Sequence, residues 1–186
     1  MVHMKSKVSP GLLLASPHLL DPNFYQTVVL MFEHQDDGAL GIVINRQLEI
    51  RLQEVLADLE IEPRAPLDQL VQFGGPVSNE IGWVVHSSDY EEPTTRQVAD
   101  GVSISTSREV LKAVGEGTGP RHHMLCLGYA GWGPKQLEYE IEQGAWLSAP
   151  LDPAILFDVP LTERWQRGYD SLGINPRQFA PTVGNA

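Results

Sequence analysis

Thr27-Val28-Val29-Leu30-Met31-Phe32-Glu33-His34-Gln35-Asp36-Asp37-Gly38-Ala39-Leu40-Gly41-Ile42-Val43-Ile44 decides how this chain folds. Two runs rich in β-branched and apolar residues, Thr27–Phe32 and Leu40–Ile44, flank Asp36-Asp37-Gly38, a link too short for a crossover and made of turn formers. The pair therefore reads as an antiparallel hairpin. Upstream, Leu12–Ala15 is a third such run, set off by Pro17 and Asp21-Pro22-Asn23.

Downstream the period changes. Leu48, Leu52, Val55, Leu56 and Leu59 recur at i, i+4, i+7, i+8 and i+11, which predicts a helix from Leu48 that Pro63 and Pro66 terminate. Val71–Phe73 and Ile81–His86 return to strand character around Gly74-Gly75-Pro76, and 91–101 is polar and reads as a surface loop before a strand at Val102–Ser105. Thr106-Ser107-Arg108-Glu109 has capping-box spacing and opens a helix that Gly115 and Gly117 stop. Met124–Tyr129 predicts a strand, and Gly131-Trp132-Gly133-Pro134 leads into a helix with Leu137 and Ile141 inward and Pro134 in its first turn. Short helices are expected after Asp152-Pro153 and after Thr162, followed by Gly173 and a polar tail at 181–186.

Strands in hairpin-like pairs rather than βαβ alternation give an α+β class, with a mixed or largely antiparallel sheet, barrel-like closure left open, and short flanking helices. The 186 residues fit one compact domain over 1–186, with its ordered core over about 9–180. Thirteen Lys+Arg against 24 Asp+Glu leave a net charge of −11, and the thirteen never form a run. Arg108/Lys112 and Arg164/Arg167 sit on isolated helix candidates, so no helix-turn-helix with a basic second helix is read, and direct nucleic-acid binding is disfavoured. Apolar runs fall well short of the ~20 residues that span a bilayer. No export signal is read, and the single cysteine, Cys126, fits a reducing compartment; the expected location is cytoplasmic.

Candidate chemistry is sparse. Ser16, His18 and Asp21 suggest a hydrolytic triad, but such triads converge from distant segments, and Asp21-Pro22-Asn23 is a better turn or cap. None of the six histidines forms an HExxH pair. His122 and His123, opening a strand, would face opposite ways, so neither a metal nor a cofactor is expected. Cys126 reads as a buried thiol. Gly128 and Gly133 have phosphate-loop spacing, yet Pro134 precedes Lys135 and no Ser or Thr follows, so the plainer reading is close strand–helix packing with Trp132 as an anchor. Gly74 and Gly75 could aim backbone amides at an oxyanion without an obvious nucleophile beside them. Asn45-Arg46 places a lone cation at a strand end.

Taken together, Leu14-Ala15-Ser16-Pro17, Asp21-Pro22-Asn23-Phe24, Thr27-Val28-Val29-Leu30, Glu33-His34, Gly41-Ile42-Val43-Ile44-Asn45-Arg46, Gly74-Gly75-Pro76-Val77 and Gly128-Tyr129-Ala130-Gly131-Trp132 resemble the AlgH/YqgE family. The resemblance extends through Gln136-Leu137-Glu138 and Trp146-Leu147 and runs from about Gly11 to Phe179. It implies a compact bacterial α+β domain and carries the label transcriptional regulator, through some members' association with alginate gene control, but it implies no reaction and no catalytic residues. Lys135 departs from the glycine that many members have there.

The leading expectation is a non-enzymatic regulatory protein. It would bind a protein partner or a small anionic or carbonyl ligand through one face of motif loops carrying Ser16, Asn23, His34, Asn45, Arg46, Gly74, Gly75, Gly128, Gly131 and Trp132. The alternatives are an acyl-transfer enzyme using Ser16 with His18 or His34 and a Gly74/Gly75 oxyanion hole, and direct DNA binding.

Overall fold

The computed structural model describes residues 7–178, so the polar tail at 181–186 lies outside the described residues. The run at Leu12–Ala15 forms strand β1 (Gly11–Ala15), and the two runs around the turn form β2 (Val28–Gln35) and β3 (Gly38–Val43), with Asp36-Asp37 turning β2 back on β3 as the predicted antiparallel hairpin. These strands are apolar at successive positions because both of their faces are covered, the circumstance in which strict alternation disappears. Leu12, Leu14, Val28, Leu30, Ile42 and Ile44 face one core with Ile155, Leu156 and Tyr169. Leu13, Ala15, Val29, Met31 and Val43 face another with Trp132, Leu137 and Trp146.

Gln47–Arg51 is strand β4, and helix α1 begins only at Leu52 (Leu52–Asp58), so the helical stripe predicted from Leu48 is wrong in its first turn. Backbone pairing with β5 (Leu70–Phe73) overrides the periodicity of five residues that are mostly exposed. β6 (Val77–His86) starts four residues before the predicted Ile81. The supposed loop at 91–101 contains β7 (Arg96–Ala99), whose polar composition hid it, paired to β8 (Val102–Ser105).

In α2 (Arg108–Glu116) the N-cap is Ser107, whose hydroxyl accepts the Val110 N–H at 3.3 Å; the expected cap at Thr106 is one residue early. Gly117, at φ +76°, ends the helix. β9 runs from His123 to Trp132, past the predicted end at Tyr129, and α3 (Gln136–Glu142) begins after Pro134 rather than on it. β10 (Trp146–Ala149), α4 (Pro153–Phe157) and α5 (Arg164–Ser171) follow, with Asp152 capping α4.

The ten strands form one sheet in the order β10-β1-β2-β3-β9-β6-β8-β7, with β5 against β9 and β4 against β5. Every pairing is antiparallel except β5–β9. β10 and β7 end the path without meeting, so the sheet does not close into a barrel. A third core, Leu52, Leu56, Val71, Val84, Val110, Val114 and Leu125, seats α1 and α2. No helix among the described residues is long and apolar enough to cross a membrane.

Candidate functional site

The motif segments meet, but as a seam of spent hydrogen bonds. Asn45 accepts the Val28 N–H at 2.9 Å and donates to the Gln26 carbonyl at 2.8 Å, while Arg46 donates to the Pro22 and Tyr25 carbonyls, both at 2.5 Å. These contacts pin the 16–26 loop to the end of β3. The Phe73 N–H then donates to the Arg46 carbonyl, and the Gly74 carbonyl accepts from Val43. The Gly74 amide donates to Leu127 at 2.8 Å, so one of the two predicted oxyanion donors is already engaged. A Cβ at Gly75, where φ is +152°, would stand 2.1 Å from the Tyr129 carbonyl carbon, and one at Gly128, where φ is +79°, would stand 2.4 Å from the Gly75 oxygen. The glycines let two backbones touch, and Gly128–Trp132, expected as part of a loop face, is strand.

Ser16 is buried and its hydroxyl accepts the His18 backbone N–H at 3.2 Å. Neither ring nitrogen of His34 faces it: Nδ1 accepts from the Val8 N–H and Nε2 donates to Glu138, each at 3.0 Å. No hydrogen bond joins the Ser16 hydroxyl to the ring of His18 or of His34 among the described residues, so the serine–histidine pair read from sequence is not formed. Burial opposes the charge on Glu138, but its own backbone N–H and His34 outweigh that and hold the carboxyl below its ordinary range. Asn23 is exposed in the turn, its N–H donating to Asp21. Gly131 is exposed opposite Leu40. Trp132 packs on Phe24 and Trp146 and donates to Glu140 at 2.7 Å, the anchoring role predicted for it.

A different serine meets a histidine. His86 Nδ1 faces the Ser87 carbonyl at 2.8 Å, an acceptor only, so Nδ1 carries the proton and Nε2 accepts from the Ser105 hydroxyl at 2.8 Å. The chain continues from Ser105 to Thr95 and the Glu92 N–H. Burial lowers the His86 pKa, against the opposing pull of the Ser87 carbonyl, Asp89 and Glu92. Both Ser105 and His86 have no solvent exposure, which makes this a buried polar brace.

The cleft with unsatisfied chemistry lies elsewhere. About 340 Å³ in volume, within the range of small-ligand sites, it opens between β4, β5, the start of β9 and α4–α5. Gln47, Gln69 and Gln72 line one side. His122 and His123 line the same cleft, because His122 precedes the strand and escapes its alternation; the opposite-faces argument does not apply to it. Gln69 donates to His123 Nδ1 at 3.1 Å, and burial, then the neighbouring His122 and His86, lower the His123 pKa. The His122 ring stacks on Phe157 with centroids 5.4 Å apart.

Two guanidinium groups, Arg121 and Arg164, reach the cleft, and no Asp or Glu is among its lining residues. Asp89, which accepts the Arg121 N–H at 3.0 Å, lies near enough to offset Arg121 in part. Arg164 has no such neighbour. It is 9% exposed and donates to the carbonyls of Val159 and Ile44, with Met124 Sδ at 4.0 Å; all these partners are neutral. Burial lowers its pKa, with no carboxylate acting against that among the described residues. From sequence Arg164 is one cation on an isolated helix; the packing of α5 on β1, β2 and β10 makes it a buried charge beside open space. Among the described residues no three His, Cys, Asp or Glu side chains gather where one ion could be held.

An open, β9-centred sheet with short helices on its faces defines a recognisable class. The AlgH-like family model matches residues 12–177, and the chain belongs to that family. A UPF0301 protein of Methylococcus capsulatus is 45% identical over 175 residues, 93% of each chain, and one of Nitrosococcus oceani is 40% identical over 176 residues, 94% of each. The solution structure of the AlgH protein from Pseudomonas aeruginosa matches with a TM-score of 0.79 at 40% identity, covering 98% of this chain and 97% of that one. A crystal structure of a Corynebacterium diphtheriae protein, 22% identical, shares the fold at a TM-score of 0.67 over 86% of this chain and 84% of that one.

Proposed function

We propose that this protein is a non-enzymatic regulatory binding protein that takes a small anionic ligand in the cleft between β5, β9 and α5. The observation that carries this reading is Arg164, a buried guanidinium bonded only to neutral groups at the wall of a cleft without carboxylates. Removing a cation from water costs several kcal/mol unless an anion meets it. A carboxylate or phosphate would do so with charge-assisted hydrogen bonds, which a planar guanidinium is shaped to give. The motif seam, with the donors of Asn45, Arg46 and Gly74 already engaged, serves as a scaffold for the sheet. With a net charge of −11, a regulatory output would pass through a protein partner rather than duplex DNA.

The test is an amide chemical-shift titration of labelled protein with inorganic phosphate, small carboxylates and duplex DNA at physiological ionic strength. Saturable shifts from an anion at residues 121–124, 156–157 and 164, lost in Arg164→Met, are expected. Silence from every anion, or saturable shifts from DNA alone, would overturn the reading.

A further inference from the structure

The cleft gathers hydrogen-bond donors that the fold has not used. Arg164 spends Nε on the Val159 carbonyl and Nη1 on that of Ile44, and its Nη2 has no partner among the described residues. Among those residues, the only side-chain nitrogens and oxygens both sealed from solvent and unpartnered are on Gln72 and Trp83, so the unpartnered Nη2 opens on the cleft that Arg164 lines. Just before β9, Arg121 lines the same cleft. Asp89 takes its backbone N–H, but among the described residues its guanidinium makes no hydrogen bond or ion pair. The next two residues add imidazoles. His122 stacks on Phe157 and uses neither ring nitrogen, and Gln69 occupies only Nδ1 of His123, which as an acceptor leaves the ring proton on Nε2. Crowding of like charge leaves a trace: His122 and His86 add to burial in holding the His123 pKa down.

Charge decides between anions. A monoanion on Arg164 leaves the second guanidinium with water and the partial offset of Asp89. A doubly charged oxyanion meets both cations, and the three terminal oxygens of a phosphoryl group give each set of donors an acceptor. Volume decides what else the ligand carries. The cleft, about 340 Å³, exceeds what the five heavy atoms of a bare phosphate fill, and Leu70, Leu156 and Phe157 offer an organic body an apolar wall. Resting on the anion-binding reading above, we infer that the ligand is a phosphate monoester whose dianionic head lies between Arg164 and Arg121, its organic body against that wall. Arg164 supplies the attraction common to all anions, and Arg121 the preference for a second charge.

Methyl phosphate and dimethyl phosphate test this at pH 8 and equal ionic strength. They share a tetrahedral phosphoryl centre and differ in charge, because a monoester loses its second proton near pH ~6 and a diester has none to lose. Dissociation constants come from the same shift titration, read at residues 121–124 and 164. Methyl phosphate is expected to bind the wild-type protein about tenfold tighter than dimethyl phosphate, the added attraction of a second charge beside a second guanidinium. In Arg121→Gln, an exposed substitution, that ratio should fall to about threefold or less, while Arg164→Met weakens both esters. Equal affinity of the two esters in the wild type would overturn this inference and leave the anion reading standing; this comparison needs no variant to fold. A ratio unchanged in Arg121→Gln, or shifts confined to other parts of the surface, would also overturn it. Inorganic phosphate is expected to bind no tighter than methyl phosphate, and binding about tenfold tighter would overturn the ester and assign the site to the free ion. No binding by any of the three sinks the anion reading itself.

Discussion

Lys135 occupies backbone that an L side chain resists. At φ +64° and ψ 0° it lies in the left-handed region, between Pro134 and the first turn of α3, where a Cβ meets the carbonyl at a cost of ~1–2 kcal/mol. Glycine loses more freedom on folding, which returns part of that gain. Lys135→Gly is therefore expected to stabilise the protein by about 0.5–1 kcal/mol, read as a rise in urea midpoint at unchanged m-value. Lys135 is itself exposed and acts on Glu138 only as the smallest of several through-space influences, so losing its charge subtracts little. The buried brace makes a second residue-level prediction. His86 has a lowered pKa in the fold, so below its ordinary value of 6.5 the unfolded chain takes up the proton more readily than the native one. Stability is accordingly full above pH 6.5 and falls as the pH drops below it, because a proton on Nε2 displaces the bond from Ser105. His86→Gln should be less stable at pH 8 yet show a shallower decline between pH 6.5 and 5 in denaturant titrations. A wild-type curve flat across that interval would contradict the assignment.

Among elements, the junction of the β5–β6 turn with β9 has the least tolerance. Adding a methyl at Gly75 would place it 2.1–2.5 Å from the backbone of Tyr129 and Ala130, atoms that cannot rotate away. Gly75→Ala should cost about 3 kcal/mol or more, from overpacking and strained φ together, and show as a lowered thermal midpoint or failure to accumulate folded protein. How far the elements were legible follows from the same local physics. The β2–β3 hairpin was readable because its turn chemistry and apolar runs agree. β4 and β7 were not: they mix polar and apolar side chains without alternation, none of them buried, and their strand state rests on backbone pairing with β5 and β8, partners that no local pattern names. Asn45, Arg46, Gly74 and Gly75 were recognisable as a group, and they do meet, yet the donors of Asn45, Arg46 and Gly74 are engaged by backbone. Arg164 carried no signal, since its significance lies in what is missing around it after folding.

At the scale of the molecule, β9 joins everything. It pairs with β3, β5 and β6, and its residues enter all three cores: Met124 and Cys126 in one, Ala130 and Trp132 in the second, Leu125 in the third. The sheet itself separates these cores, but none can lose its packing without disturbing a strand the others need. Unfolding should therefore be one cooperative transition, with calorimetric and van't Hoff enthalpies equal. Amides of Leu125–Leu127 in β9 should exchange only through that global event, whereas those of β7, at the end of the sheet, should exchange through local opening. The α1–α2 core is the place where this expectation is most exposed, because it reaches the remainder chiefly through β5, β6 and β9. If amides of Val110–Val114 and Val71 exchanged together at a lower opening free energy than Leu125, that core would be a separate unit. The cleft, which has β5 on one wall and α5 on the other, would then straddle two independently opening parts, and an anion bridging them would raise the stability of the weaker one selectively. Should exchange instead be uniform across both walls, ligand binding would stabilise the whole molecule by the same increment, as linkage to a single folded state requires.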